Sequence, residues 1–298
     1  MSNKSLIFYL IYFFLSFEFI SANEIQFEAR EILSSENGDI ITGNKDGKVV
    51  INKNIKIFAD KYTYYKKKKL ITIEKNVEVV DSLNELKINT QLIHYVIDKQ
   101  EIVSFGKTKT VIKNKYLIDA EDIYYNHAAK TIYSEKSSNL YDNFENELKS
   151  NQFKYFLDEE LYKATDIELI DNVENKYFVS SGMVKLDEYN ILGKDIEILL
   201  KNNNYDNPLN EPRLKGNSVS YKNNLTIIKK GIFTSCKITG DCPPWSITSE
   251  EITHDKTKKE VQYKNAWLKL YDKPIMYFPK FFHPDPTVER QSGFLTPT

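Results

Sequence analysis

The chain has 298 residues and nearly balanced charge, 41 Lys and Arg against 42 Asp and Glu, for a formal net charge of -1. That balance lacks the basic excess of a nucleic-acid binder, and 41% hydrophobic with 28% charged residues is a globular composition rather than a disordered one. Aromatic content is 13%, carried by 20 Tyr and 17 Phe, and none of the 9 Pro precedes Pro208. So long a stretch without proline suits uninterrupted hydrogen-bonded strands, because proline lacks the donor a strand ladder needs.

The first segment reads as an export signal. Lys4 supplies a positive start, Leu6 to Phe17 is apolar apart from Ser16, and Ser21-Ala22 offers a small-residue exit. The apolar run is shorter than the roughly 20 residues a spanning helix needs, and Glu18 interrupts it. Residues 1–22 are therefore expected to be a signal peptide, and the mature chain to be exported.

From there the sequence reads as strand after strand. Lys48-Val49-Val50-Ile51, Leu70-Ile71-Thr72-Ile73, Val77-Glu78-Val79-Val80 and Ile167-Glu168-Leu169-Ile170 are short and β-branched, and many runs alternate apolar with polar. Asn, Asp, Lys and Gly clusters between them, such as Asn44-Lys45-Asp46-Gly47 and Asn202-Asn203-Asn204, predict turns. Sustained helical periodicity is absent, so the fold class is all-β.

The strands repeat. Ala59-Asp60-Lys61-Tyr62-Thr63-Tyr64 aligns with Thr90-Gln91-Leu92-Ile93-His94-Tyr95, then with Ala120 to Tyr125 and Ser150 to Tyr155, and the closing tyrosines step by 31, 30 and 30. A second apolar residue follows each opening position by twelve: Ile71, Ile102, Ile132 and Tyr162. Weaker copies lie at Gly193 to Ile198, Gly216 to Tyr221 and Ser249 to His254. Such a period marks a stacked or rolled array whose unit is a strand pair.

Alternation places Tyr62 with Tyr64, Ile93 with Tyr95, Ile123 with Tyr125, Phe153 with Tyr155, Ile196 with Ile198 and Val219 with Tyr221 on one face. This face is either the ordinary core or the wall of an open, unfilled trough of lipid size, and periodicity does not separate the two. The ends of such a roll leave unpaired strand edges, which proteins protect or use for pairing.

The C-terminal third carries further motifs: Cys242-Pro243-Pro244-Trp245-Ser246-Ile247, Ile252-Thr253-His254-Asp255, Tyr263-Lys264-Asn265-Ala266, Pro274-Ile275-Met276-Tyr277-Phe278-Pro279, and His283-Pro284-Asp285-Pro286 running through Arg290 to Gly293-Phe294-Leu295. This succession resembles the junction of the LptD (OstA, organic solvent tolerance) family, and the repeat frame resembles OstA-like units. The resemblance implies a β-jelly roll over residues 23–245, and over 246–298 the junction to an outer-membrane β-barrel, with Pro279, His283, Pro284, Asp285, Pro286, Arg290 and Gly293 as junction residues. No barrel-like segments follow the motif, so a fragment of a longer protein is expected.

The resemblance implies lipopolysaccharide transport and assembly, at the periplasmic face of the outer membrane. The roll would accept the lipid from a periplasmic bridge jelly roll of LptA type through edge-strand pairing, near Phe27 to Ile51, and pass it to the barrel. Where the barrel is present, an LptE-like lipoprotein plug is implied as well. No cofactor and no nucleic-acid partner is expected. Each buried methylene is worth about 0.8 kcal/mol, so a multi-acyl lipid needs a long apolar track.

Cys236 and Cys242 are the only cysteines. In an exported chain they form a local disulfide, remain thiols, or join His254 and His283 in a zinc site. His283, Asp285, Glu289 and Arg290 lack a nucleophile elbow, and no phosphate loop occurs. The carboxylates of Asp158-Glu159-Glu160 and the lysines of Lys66 to Lys69 are expected to be solvated turn charges. The alternative to transport is an exported polysaccharide-processing enzyme on a repetitive β-scaffold, with surface tyrosines beside paired carboxylates.

Overall fold

A computed structural model of the chain describes residues 25–172, 174–201, 211–237, 243–284 and 288. The expected signal peptide and the Asn202-Asn203-Asn204 turn lie outside these residues. The described residues form one antiparallel sheet of 22 strands, with two single-turn 3-10 helices (Glu36–Gly38 and Ile97–Lys99) and no α-helix. It opens with β1 (Ile25–Glu28), β2 (Glu31–Ser35), β3 (Ile40–Ile51), β4 (Ile55–Tyr65), β5 (Leu70–Asp81) and β6 (Leu86–Val96). Half-length strands follow: β7 (Glu101–Ser104), β8 (Lys107–Ile112), β9 (Tyr116–Glu121), β10 (Tyr124–Asn126), β11 (Thr131–Ser134), β12 (Ser138–Asp142), β13 (Glu147–Ser150) and β14 (Gln152–Phe156). Long strands then resume with β15 (Leu161–Ile170), β16 (Lys176–Lys185), β17 (Asn190–Leu199), β18 (Arg213–Lys222), β19 (Leu225–Thr234), β20 (Trp245–Asp255), β21 (Glu260–Leu270) and β22 (Lys273–Pro284).

Each long strand, or pair of half-strands, bends at its middle. Buried apolar positions in β4 are Ile55, Ile57 and Ala59, then Tyr62, so the alternation slips by one residue at Asp60-Lys61. The same slip separates Leu86 and Ile88 from Ile93 and Tyr95, Ile118 and Ala120 from Ile123 and Tyr125, and Tyr162 and Ala164 from Ile167. Register shifts sit at these corners, between Asn44 and Gly47, Phe58 and Lys61, and Glu74 and Val77. Left-handed backbone marks many of them: Lys45, Asp46, Lys75, Asn76, Asp122, Asp166, Asp195 and Asn265, with Gly106 at φ 76°. Asn, Asp and Gly tolerate that conformation best.

A polar residue second or third in the sequence frame is the one that ties the corner. Asp60 accepts from Asn76 Nδ2 (3.1 Å), Gln91 Oε1 from the Asn76 amide (3.4 Å), and Asp122 Oδ1 from the Gly106 amide (2.7 Å). Farther along, Asn151 donates to Asp166 (3.0 Å) and Ser180 to Asp195 (3.1 Å). The bulges increase bend and twist. The corners fold the sheet into two layers whose inner faces meet.

Cross-strand register turns the repeat into two continuous ladders. In one layer Ile41, Tyr64, Ile71, Tyr95, Ile102, Tyr125, Ile132, Tyr155 and Tyr162 stand opposite one another in succession. The row runs on through Val184, Ile191, Tyr221, Thr226, His254, Val261 and His283. In the facing layer Val49, Ile57, Val79, Ile88, Thr110, Ile118, Leu140, Leu148 and Leu169 do the same. That row continues through Tyr177, Ile198, Leu214, Phe233, Ile247 and Leu268 to Met276. Directly opposed side chains are the units of sheet stabilisation, so the period of 30 to 31 residues is the distance from one strand pair's contribution to the next.

The sheet crosses the expected 245/246 boundary without interruption. β20 begins at Trp245, and Ile247, Ile252, Val261, Tyr263 and Ala266 are buried in the same core as the earlier strands. Residues 246–284 thus pair and pack in the same sheet as the strands before them. At the other end β1 and β2 both pair with β3, one in each layer.

Gly43 shows how closely neighbouring strands pack within a layer. A Cβ there would lie 2.2 Å from Tyr62 Cζ, whose ring covers the glycine on the neighbouring strand. Gly43→Val is expected to lower stability by about 1–3 kcal/mol, the usual cost of overpacking. Equilibrium urea unfolding checks this, and an unchanged midpoint would show that the Tyr62 ring is not held there.

Candidate functional site

The interior between the two ladders is the site the sequence points to. Tyr62, Ile93, Tyr95, Ile123, Tyr125, Phe153, Tyr155, Ile196, Ile198 and Val219 are all buried in one continuous hydrophobic cluster, with Tyr64 packed against it at half-burial. Tyr221, the remaining expected lining residue, is half-buried in the tyrosine ladder. The open trough is not what the structure has, however. Tyr95, Tyr125 and Tyr155 are 0% exposed, because tyrosines of one layer reach across to the branched side chains of the other and fill the space themselves. Phe27 on the first edge does likewise, with its ring centroid 5.3 Å from Tyr62 and 5.2 Å from Tyr64.

The free rims of the layers are stitched together by polar bonds that sequence reasoning missed. Asp81, 2% exposed, accepts from the amides of Leu83 (2.9 Å) and Asn84 (3.1 Å), from Asn84 Nδ2 (2.8 Å) and from the Tyr125 hydroxyl across the interior. Asp142 accepts in the same manner from the Phe144 and Asn146 amides (2.8 and 3.0 Å), from Asn146 Nδ2 (2.8 Å) and from the Tyr189 hydroxyl. Tyr116 adds a third stitch by donating to the Leu186 carbonyl (3.2 Å). Burial would raise the Asp142 carboxyl, but the four donors outweigh it and hold it below the ordinary range. Burial and then Asp81 push the Tyr125 phenol well up, so it stays a donor. The only sequence trace of these clasps is Asp followed three or four residues later by Asn, at 81/84 and 142/146.

Beside this seam the Tyr95 hydroxyl meets His127 Nε2 at 3.2 Å. Burial holds the His127 imidazole below its ordinary value, with Asp81 opposing, and burial raises Tyr95 to about 12. Among the described residues the buried hydroxyls of Tyr62 and Tyr155 have no hydrogen-bond partner.

The remaining expected site residues fall in different places. His283 belongs to the core, 4% exposed, 2.8 Å from the Tyr263 hydroxyl and tilted against Phe233 with ring centroids 5.3 Å apart. Pro279 lies exposed within β22 and Pro284 ends that strand. Asp285, Pro286, Arg290, Gly293 and Cys242 lie outside the described residues. Cys236 follows β19, with its thiol 3.8 Å from the Trp245 carbonyl. Among the described residues no three metal-ligating side chains come together, and no helix is long and apolar enough to cross a membrane. The turn charges are paired: Asp158 with Lys130, Glu160 with Lys113, Lys67 with Asp39 and Lys69 with Asp98. A concavity of about 640 Å³ lies on the outer face along Tyr133, Lys154, Lys163, Met183 and Leu192. The frame tyrosines are internal and Asp81 and Asp142 are engaged by donors, which does not favour an enzyme presenting tyrosines and carboxylates together on its surface.

Two outcomes test the seam. Tyr125→Phe leaves the buried Asp81 short of a donor and should cost about 1.5–3 kcal/mol, whereas Tyr155→Phe removes a hydroxyl without a partner and should be neutral or stabilising; equal losses in urea unfolding would contradict the assignment. The second is pH dependence. His127 titrates lower in the fold than its ordinary 6.5, so the unfolded chain binds more protons between the two values. Its contribution is complete above about 6.5 and is lost as pH falls through the folded value. Thermal midpoints should drop between about pH 7.5 and about pH 5.5, and His127→Gln should flatten part of that slope; His94, also lowered by burial, accounts for more of it.

No protein-family model matches the chain. It is 40% identical over 72 residues to the LPS-assembly protein LptD of Yersinia pestis bv. Antiqua (strain Antiqua), covering 24% of this chain and 9% of that protein. It is 37% identical over 76 residues to LptD of Yersinia enterocolitica serotype O:8 (26% and 9%), and 36% identical over 75 residues to LptD of Sodalis glossinidius (25% and 9%). Among solved structures it is similar to LptH of Pseudomonas aeruginosa, described as the LptA-homologous periplasmic component of a lipopolysaccharide transport device. That likeness has TM-score 0.32 and 14% identity, over 35% of this chain and 76% of LptH. The chain spans 9% of the length of the curated relatives it matches, and it resembles LptD over the shared stretch.

Proposed function

We propose that this chain serves lipopolysaccharide transport at the periplasmic face of the outer membrane, carrying the acyl chains between its two ladders and passing the lipid to a barrel. The observation that carries this reading is the continuity of the apolar interior. Two uninterrupted rows of side chains run the whole length of the sheet, from β3 to β22. A globular core has no need of such length, but a multi-acyl lipid gains about 0.8 kcal/mol for each methylene it buries. Because the interior is filled by its own tyrosines, lipid entry requires the rims to part at the Tyr125–Asp81, Tyr189–Asp142 and Tyr116–Leu186 bonds, so that acyl chains take the place of the rings.

The partner implied on the other side is a bridge jelly roll that adds its strand to β1 and β2. These strands use only one edge each among the described residues, and Ile32 and Leu33 of β2 are exposed. Ion pairs Lys48–Glu28, Lys45–Glu31 and Arg30–Asp46 flank that edge, a charged guard against indiscriminate pairing. A lipoprotein plug would enter only together with the barrel.

Photo-crosslinking groups at Tyr95, Tyr125 and Tyr155 should form adducts with lipopolysaccharide, and one at Leu33 with the bridge protein. If the interior positions give no lipid adduct in cells yet react with water-soluble reagents, the interior is not a lipid track and the reading fails.

A further inference from the structure

The last hairpin among the described residues, β21–β22, differs from the others in what it leaves uncovered. Trp267, Leu270, Tyr271, Ile275, Met276 and Tyr277 are all exposed. Trp267 and Tyr277 stand opposite each other on the outer face, with ring centroids 5.0 Å apart, and the Tyr277 hydroxyl donates to Asn265 Oδ1 (2.9 Å). Met276 stands opposite Leu268 on the inner face, where the aliphatic ladder ends. Leu270 and Tyr271 occupy the apex. The tip is therefore apolar on both faces and at its end.

That geometry narrows the occupant. A protein surface covers one face of a hairpin, whereas a fluid apolar medium covers both faces and the apex. Composition agrees: Trp and Tyr concentrate at membrane–water interfaces, where the ring is apolar and its N–H or O–H is wet. Charge agrees too. From Val261 to Pro284 there are four lysines, Lys264, Lys269, Lys273 and Lys280, against the single Asp272, in a chain whose net charge is -1. Lysines around an apolar tip can keep their amines among anionic phosphates while their stems lie along the acyl boundary.

We propose that the tip of this hairpin, from Trp267 to Tyr277, inserts into the interfacial zone of a bilayer bearing anionic phosphate headgroups. The inference rests on the transport reading only in placing the chain beside a membrane. It concerns the outside and apex of one hairpin, not the interior.

The two tryptophans make the test direct, since Trp245 is buried and Trp267 is exposed. The full chain is mixed with vesicles of phosphatidylethanolamine and phosphatidylglycerol, and separately with phosphatidylcholine vesicles. Expected results are flotation with the anionic vesicles, a blue shift of the exposed tryptophan, and quenching by brominated acyl chains. Leu270→Asp, at an exposed apex, should weaken partitioning roughly tenfold with the thermal midpoint unchanged. Lys269→Glu with Lys273→Glu should weaken binding to the anionic vesicles. A Trp245→Phe chain isolates the Trp267 signal; flotation of the unaltered chain decides the matter if that variant does not fold. Absence of flotation and shift with both vesicle types overturns the proposal. So does a blue shift that grows with protein concentration without vesicles, which would make a second copy the occupant. Either failure leaves lipopolysaccharide crosslinking at the interior tyrosines unaffected, so the two readings fall separately.

Discussion

The fold depends on the corner at the middle of each strand. A strand alternates its side chains with a period of two, so a straight sheet would bury one face and present the other to water. Here the alternation slips by a residue at the bend, as between Ala59 and Tyr62 or between Ala120 and Ile123. Both halves of the strand then aim their apolar positions at the same interior. Without the slip, one layer would turn its tyrosines to solvent. The Asp, Asn and Gly residues in left-handed conformation, and the side-chain bonds between neighbouring corners, hold that slip in the same place strand after strand.

From this geometry come the two ladders and the contrast between them. One layer carries aromatic rings and the other mainly branched aliphatics, so rings reaching inward from one side meet a smoother wall on the other. The rings end in hydroxyls that must be hydrogen-bonded or stay unsatisfied; Asp81 answers that need at Tyr125, and Asp142 takes the hydroxyl of Tyr189 from the turn before β17. A closed interior with a hydrogen-bonded seam can separate along that seam with fewer losses than a core closed by packing alone, since water can replace polar partners at an edge. The same arithmetic sets the end of the roll apart. At β22 no further strand covers the inner row among the described residues, and Met276 and its neighbours are left bare.

The repeat was legible in the residues because the unit is local: a strand, a turn and a returning strand fill one period, and the closing tyrosine and the apolar residue seven positions later, such as Tyr64 and Ile71, stand directly opposite each other across the hairpin. The polar residue just inside the frame was visible, but its work at the corner was not, since Asp60 and Asn76 belong to successive strands. The motifs change character near residues 245/246, yet motif character does not mark where a sheet stops, and β20 pairs with β19 in the same sheet. His283 stood among prolines and acidic residues that suggest an extended connector, while its partner Tyr263 lies twenty residues back on the adjoining strand.

The residues alone therefore determined an all-β chain of repeated strand pairs, with tyrosines and branched side chains on one inward face, because strand periodicity and hairpin turns are encoded over a few neighbours. Only the tertiary structure decided that the inward faces close on each other, that Asp81 and Asp142 seal the rims, and that the last hairpin stays bare on both sides. Those outcomes depend on bonds between residues 44 and 47 positions apart, and on how far two layers approach. Neither quantity is carried by any short stretch of sequence.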